Sequence, residues 1–203
     1  AVQSDGYGAY DIYEKKQEVA LLGCWAHVRR KFEHTLEEDP DRASEALRMI
    51  GELYAIERYA KENNLPLDKI KRLRETEAYP RLREFERWIE EIVTGGRILK
   101  QSAMGKAIAY AYSLYPRLSR YVMDGRYKID NNMAENAVQP QALGRKNYLF
   151  CRTHEAAYHT SIIYSLLGTC KLWDINPEEW LTDIFNHIGD CKQSKLEELL
   201  PYK

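Results

Sequence analysis

The chain has 203 residues, of which 44% are hydrophobic and 30% charged, and its formal net charge is −1 at pH 7. This length fits one domain, or one domain with a large insertion, and leaves no room for two independent enzymes. The composition is that of an ordinary globular protein, and no apolar run approaches the length needed to cross a bilayer. A membrane-spanning protein is therefore excluded, and the near-zero net charge gives no overall attraction to nucleic acid.

The amino terminus and the cysteines indicate a cellular compartment. The first residues, AVQSDGYGAY, have neither the basic start nor the apolar middle of a signal peptide, so a cytoplasmic location is expected. They also lack an initiating Met, which suggests a fragment of a longer protein. Without an export signal, reduced thiols are expected rather than disulfides. The cysteines are Cys24, Cys151, Cys170 and Cys191.

Two short stretches at the front of the chain have β character. AVQSDGYGAY offers strand-compatible residues and then Gly6 and Gly8, which indicate a turn, and the apolar run EVALLGCW at 18–25 is typical of a buried strand. A two-stranded sheet is marginal in water. Either helices cover these strands, or their missing neighbours lie outside this chain.

From residue 26 to about residue 121 the hydrophobic pattern has a helical period. WAHVRRKFEHTLEED predicts a helix with one apolar stripe, formed by Trp25, Val28, Phe32 and Leu36. The next helix begins at an Asp–Pro pair in DPDRAS, a sequence that suits a helix start. The sequence therefore predicts a mainly α-helical fold with a small β element at its front.

Proline and glycine mark the expected breaks in this helical pattern. Pro80 predicts a kink or join, and the GG pair at 95–96 predicts a helix end. Pro140 and Gly144 interrupt any helix in QPQALGRKNYLFC, so an irregular segment is expected there. A strong apolar helix follows, and the NP pair at 176–177 predicts the start of a last one.

Two short clusters combine cations with an aromatic residue, which is the composition that a phosphate-backbone site needs. They are HVRRKF at 27–32 and GRKNY at 144–148. The alternative is a solvated helix face or turn. The candidate DNA-binding residues are Arg29, Arg30, Lys31, Arg145 and Lys146.

Glu135 lies in the polar stretch YKIDNNMAEN at 127–136. With Asn132 as N-cap and Glu135 at the third helical position, the spacing matches a capping box. This structural role leaves the preceding KID and the doubled Asn131–Asn132 unexplained, because one cap does not use so many polar groups. A chemical role for Glu135, with the two asparagines supporting the helix start, is the alternative.

Asp5 is the second carboxylate of interest. The pair Asp5–Gly6 is a strong turn signal. An Asp at the end of a strand is also where a metal-binding carboxylate lies when the strand belongs to a larger sheet. Asp11 is a less specific competitor.

A Cys-x-x-His spacing occurs twice. Cys24 and His27 stand where the apolar strand meets the first helix, and Cys151 and His154 repeat the spacing. Two such pairs could form a Cys₂His₂ zinc site. Short matches of this kind arise readily by chance, so a buried Cys and a helix-start His are the expected interpretation and zinc is not. Walker, dinucleotide-binding and Gly-x-Ser-x-Gly motifs do not occur in the sequence.

The chain resembles the catalytic domain of a bacterial transposase. The resemblance rests on five stretches in this order: SDGYGAYD, CWAHVRRKF, IDNNMAEN, ALGRKNYLF and SIIYSLLGTCKLWDINPEEWL. The family is insertion-sequence family sixty-six, a group of DDE transposases. The resemblance covers nearly the whole chain.

The resemblance implies a ribonuclease H-like core in which three carboxylates hold two divalent metal ions, with Mg²⁺ or Mn²⁺ expected for oxygen ligands. Asp5 corresponds to the second carboxylate and Glu135 to the third, both as catalytic residues and as metal ligands. His27 corresponds to an active-site neighbour. The implied division is a core remnant at 1–26, a helical insertion at 27–126 and a carboxy-terminal catalytic segment at 127–203.

Two departures from the family pattern affect the expected activity. The first catalytic Asp of the family lies on an earlier strand, upstream of SDGY, so the chain alone is expected to be inactive. Gln139 stands where the family usually has Arg, which weakens a DNA contact and raises the alternative of a decayed copy.

The expected function is DNA cleavage and strand transfer by two-metal phosphoryl transfer. Its implied partners are transposon-end DNA, target DNA, further copies of the chain in a transposition complex, and accessory transposition proteins. The alternative is a non-enzymatic helical module from a decayed transposase that binds DNA or a partner protein.

Overall fold

The computed structural model describes residues 1–14, 19–96, 98–148 and 150–202. They form two compact units, Ala1–Asn132 and Met133–Lys203. Both are helical, apart from a two-stranded sheet in the first unit, which confirms the predicted mainly α fold with a small β element. The division at 1–26, 27–126 and 127–203 concerns the composition of the implied core and stays a prediction.

The sheet joins two strands that are distant in sequence. β1 (Val2–Gln3) pairs in parallel with β2 (Leu21–Leu22), with Val2 opposite Leu21 and Gln3 opposite Leu22. The carboxyl ends of both strands therefore meet at one edge of the sheet. The observed β2 is shorter than the predicted strand at 18–25, of which residue 18 lies outside the described residues.

Residues at the end of a helix cover β2. Leu21 and Leu22 are buried, and the guanidinium of Arg120 donates a 3.1 Å hydrogen bond to the carbonyl of Leu21. Just beyond the strand, the amide of Gly23 donates to the carbonyl of Arg117 at 3.0 Å. The small sheet was expected either to be covered by helices or to have neighbouring strands outside this chain. Within the first unit, helical residues do cover β2.

Five α-helices of the first unit follow the predicted helical period. They are α1 (Trp25–Glu33), α2 (Pro40–Glu62), α3 (Leu67–Leu73), α4 (Tyr79–Gly95) and α5 (Ala103–Leu118). Asp39 caps α2 by accepting a hydrogen bond from the amide of Arg42, so the predicted Asp–Pro start is confirmed. Gly96, at φ +62°, ends α4 in the left-handed conformation, which confirms the predicted stop.

Pro80 marks the predicted join within a longer helical segment. It lies in the first turn of α4, and a π-helical turn at Arg74–Ala78 connects α3 to α4. Proline has no N–H to donate, so one bond of the helical hydrogen-bond ladder is missing at Pro80. The wider turn just before it carries the chain across this gap.

The core of the first unit confirms most of the predicted stripe on α1. Trp25, Val28 and Phe32 are fully buried, and Trp25 meets Phe85 of α4 edge to face at 5.1 Å between ring centroids. Leu36 is 40% exposed, so its predicted place in the stripe is wrong. The reason is that α1 ends at Glu33 and the following turns leave the helical register.

The last three α-helices are α6 (Asn132–Tyr148), α7 (His154–Leu172) and α8 (Pro177–His187). The prediction that Pro140 and Gly144 interrupt the chain is wrong, because both lie inside α6. None of the residues of α6 is buried, so the carbonyl that Pro140 leaves without a donor can bind water. Asn176 caps α8 by accepting from the amide of Glu178 at 3.0 Å, as predicted.

Among the described residues, no helix combines the length and the apolar character that a membrane crossing requires.

Candidate functional site

Asp5 lies at the carboxyl edge of the sheet, two residues after β1. Its side chain is exposed, and Oδ1 accepts a hydrogen bond from the amide of Tyr7 at 3.0 Å. The hydroxyl of Tyr110 donates to its backbone carbonyl. Asp5 therefore forms the expected turn, and Oδ2 accepts no hydrogen bond from any described residue. The turn fixes one oxygen and leaves the other for a ligand.

Cys24 and His27 follow β2 at the same edge. The Cys24 Sγ and the His27 Nδ1 are 3.2 Å apart, so the thiol and the ring hold each other in place. Burial raises the pKa of the Cys24 thiol, and neighbouring amides, with that of Asn131 first, offset part of the rise. Cys24 is thus a neutral thiol at pH 7 that fixes the orientation of the imidazole.

The KID segment is tied to the strand ends. The side-chain amide of Gln3 donates 2.9 Å hydrogen bonds to the carbonyls of both Gly23 and Lys128. The amide of Trp25 donates to the carbonyl of Ile129 at 3.1 Å. These bonds place the chain that leads into α6 beside the carboxyl edge of the sheet.

Asp130 connects α2 to the start of α6. Its Oδ2 accepts from the hydroxyl of Tyr54 at 2.9 Å, and its Oδ1 accepts from the amide of Asn132 at 3.2 Å. Burial, and then the hydrogen bond to Asp130, raise the pKa of Tyr54, so its hydroxyl stays a donor. Sequence reasoning did not single out Tyr54 or Asp130, although the unexplained KID was a signal for the second.

The helix that carries Glu135 begins one residue earlier than predicted. α6 begins at Asn132 itself, so Glu135 is its fourth residue and lies in the first turn. The Oδ1 of Asn131 is buried and, among the described residues, has no hydrogen-bond partner. The amide of Asn132 is therefore satisfied by the carboxylate of Asp130, not by an asparagine side chain.

The two predicted catalytic carboxylates belong to different units, Asp5 to the first and Glu135 to the second, and their pairing stays a prediction. The Cys24–His27 pair belongs to the first unit and the Cys151–His154 pair to the second. In the described part of the chain, no group of three or more His, Cys, Asp or Glu side chains is arranged to hold a metal ion. All four cysteines are free thiols, as expected.

The predicted cationic residues of α1 separate into two places. Arg29 and Arg30 line a cleft of about 420 Å³ between α1 and α2, which we call the α1–α2 cleft. The Nζ of Lys31 instead lies 4.4 Å from the centre of the Tyr110 ring. The charged and polar residues of the cleft are Arg29, Arg30, Glu33, Tyr54, Arg58 and Asn132. Arg145 and Lys146 are exposed in the last turn of α6.

In this chain a carboxylate follows the first strand, a Cys-x-x-His pair follows the second, and a helical block precedes the helix that begins in DNN. This order is similar to that of the insertion-sequence transposases described above. The model of the family described as "Transposase IS66 family" matches residues 1–159, and that of the "IS66 C-terminal element" matches residues 165–202. The chain therefore belongs to the IS66 transposase family.

Two curated relatives come from Sinorhizobium fredii, and both are described as uncharacterized. The protein y4qI is 30% identical over 210 residues, which cover 99% of this chain and 38% of y4qI. The protein y4hP is 28% identical over 219 residues, which cover 100% of this chain and 39% of y4hP. The chain thus spans about two fifths of the length of these relatives. No solved structure matches it.

Proposed function

We propose that this chain is the carboxy-terminal catalytic part of a DDE transposase, which cleaves DNA and transfers the cut strand to a target. One observation carries the proposal within the family. The free oxygen of Asp5 lies at the carboxyl edge of a parallel sheet, where the next strand leads into the Cys24–His27 pair. The carboxyl ends of parallel strands are where α/β enzymes place their ligands.

The donor atoms fit a hard divalent cation. Carboxylate oxygens are the ligands that Mg²⁺ and Mn²⁺ prefer. Asp5 supplies one such carboxylate, Glu135 supplies another from the first turn of α6, and a third belongs to the ligand set of the intact enzyme. When bound, a pair of these ions activates the attacking water or 3′-hydroxyl and stabilises the leaving oxygen of the phosphodiester.

The residues around Asp5 keep its carboxylate in one orientation. The amide of Tyr7 donates to Oδ1, and the hydroxyl of Tyr110 donates to the backbone carbonyl, so both the side chain and the backbone of Asp5 are held. Cys24 holds the ring of His27 at the same edge in the same way. Such fixed groups need little rearrangement when the phosphate arrives.

The test uses the complete transposase, a donor plasmid with its terminal repeats, and Mg²⁺. Glu135→Gln and Asp5→Asn should each abolish strand cleavage and transposition while DNA binding is retained. Glu155→Gln is the matched control, because Glu155 lies in the first turn of α7 and is exposed. Transposition at the wild-type level by Glu135→Gln would contradict the proposal.

The isolated chain provides a second test. It carries two of the three carboxylates, so it should not nick terminal-repeat DNA at any Mg²⁺ or Mn²⁺ concentration. Nicking that Asp5→Asn removes would show that two carboxylates are enough, and would overturn this part of the proposal.

An assembly role accompanies the catalytic one. Large apolar side chains are exposed on α7 and after it, among them Ile163 at 56% and Trp173 at 59%. Exposed apolar groups of this size are typical of protein contacts. They favour association with further copies or accessory proteins on DNA in the bacterial cytoplasm. The alternative is a decayed transposase that only binds DNA or a partner protein. Its complete protein would still associate in this way but would not cleave DNA.

A further inference from the structure

We infer that the α1–α2 cleft binds a phosphate of the DNA backbone, with Arg58 as a contact that the sequence motifs do not identify. The inference rests on the proposed function, because it names where the DNA substrate is held. Arg58 belongs to the proposed helical insertion. The inference therefore adds a DNA-binding residue from the insertion to the proposed catalytic residues Asp5 and Glu135, which lie before and after it in the sequence.

The cleft is lined by charged, polar and small residues. Ala26 of α1 and Gly51 of α2 are the small ones, and neither carries a side chain large enough to fill it. One wall continues from Ala26 to Arg29 and Arg30, at the three- and four-residue spacing of one helix face. A volume of about 420 Å³ is enough for a phosphate group with its sugar atoms.

The opposite wall belongs to α2. Gly51, Tyr54 and Arg58 are spaced by three and four residues, so all three face the cleft. Because Tyr54 donates its hydroxyl to Asp130, its ring has a fixed position in this wall. Arg58 stands one turn further along and brings a third guanidinium to the cleft.

Positive charge exceeds negative charge in this space. Three guanidinium groups line the cleft with one carboxylate, that of Glu33, which is 3.0 Å from Arg29. Within the described ranges, neither Arg30 nor Arg58 has a side-chain hydrogen bond or an ion pair. Planar guanidinium groups bind phosphate oxygens with two hydrogen bonds each, so this lining suits a phosphodiester.

The position of the cleft connects it to the catalytic segment. Asn132, the first residue of α6, is part of the lining, and its amide is held by Asp130. Glu135 follows three residues later in the first turn. A backbone phosphate in the cleft would therefore contact Asn132, the residue at which the helix that carries Glu135 begins.

Gly51 allows a test that does not disturb the fold. A Cβ at this position meets nothing within 4 Å, and Gly51 is inside α2, where glutamate and glutamine both have a higher helix propensity than glycine. Gly51→Glu adds a carboxylate to the lining of the cleft. Gly51→Gln has nearly the same size without the charge.

The experiment measures binding of a labelled 20-base-pair duplex of arbitrary sequence to the 203-residue chain between about 50 and 200 mM salt. Gly51→Glu should weaken binding about tenfold relative to Gly51→Gln at the lowest salt. Arg58→Gln should reduce the slope of log K against log salt by about 0.9, which corresponds to one lost phosphate contact. Arg87→Gln, on the exposed face of α4, removes the same charge outside the cleft and should leave the slope unchanged.

Three results would overturn the inference: equal binding by the two Gly51 variants, equal slopes for Arg58→Gln and Arg87→Gln, or no duplex binding by the wild-type chain. Far-ultraviolet circular dichroism confirms that each variant is folded. The proposed function is judged separately by cleavage with Glu135→Gln in the complete protein, so either conclusion can fail while the other holds.

Discussion

Arg74 and Glu57 form a two-pronged ion pair, with the Nε of Arg74 2.8 Å from Oε1 and its Nη2 2.6 Å from Oε2 of Glu57. Arg74 is only 2% exposed and lies in the π turn between α3 and α4. Its remaining donors contact backbone carbonyls at 2.7–3.0 Å. These carbonyls belong to Tyr121, Asp124 and Tyr127. One side chain thus joins α2 and the π turn to the segment that leads into α6.

Arg74→Met should lower the free energy of unfolding by about 3–5 kcal/mol. The variant leaves the Glu57 carboxylate, which is 18% exposed, without its cation, and it leaves three carbonyls without a donor. Urea denaturation followed by circular dichroism measures the change. Arg72→Met removes an exposed arginine two residues earlier and should change stability by less than about 0.5 kcal/mol. Equal effects of the two substitutions would show that the ion pair is not important for the fold.

Arg74 also shows why some contacts of the fold could not be predicted from the sequence. Its partners lie 17 to 53 residues away, and nothing local to Arg74 indicates that it is buried. The same holds for the contact between Tyr54 and Asp130, which are 76 residues apart. Features of one helix turn were predictable, such as the caps at Asp39 and Asn176, because capping depends on adjacent residues.

One prediction from the sequence was wrong because a residue that usually breaks helices lies in an exposed helix. Pro140 predicts a helix break, yet α6 continues through it, since an exposed helix can lose one hydrogen bond to water. The motif residues Asp5, Cys24 and His27 were placed correctly at strand ends, because their chemistry and their position after apolar strands coincide. The pairing of Asp5 with Glu135 depends on the arrangement of two units and has no local signal.

The buried thiol of Cys24 should make stability depend on pH. Burial raises its pKa in the folded chain, so above the pKa of the unfolded thiol, about 8.5, the unfolded state loses a proton that the folded state keeps. The stability that Cys24 contributes is complete below that pH and is lost as the pH rises through the folded pKa.

Cys24→Ala should therefore flatten the decline in the free energy of unfolding between about pH 7.5 and pH 9.5. The comparison is of slopes, because the substitution also leaves a small cavity that lowers stability equally at every pH. Urea denaturation at several pH values, with a reducing agent present, gives both slopes. Parallel curves for the two proteins would mean that the thiol does not contribute to the pH dependence.

Gln139 offers a gain-of-function test on α6. At 100° per residue, position 139 lies on the same face as Glu135, one turn earlier, and Lys146, two turns later. Gln141 lies on the opposite face, and both glutamines are exposed. Gln139→Arg should tighten binding of the labelled duplex and raise the salt slope by about 0.9, because it adds one phosphate contact on the face that carries Glu135. Gln141→Arg adds the same charge on the other face and should have a smaller effect. If both substitutions tighten duplex binding equally, binding depends only on the net charge of the chain. The face of α6 that bears Glu135 would then not be the face that contacts the DNA.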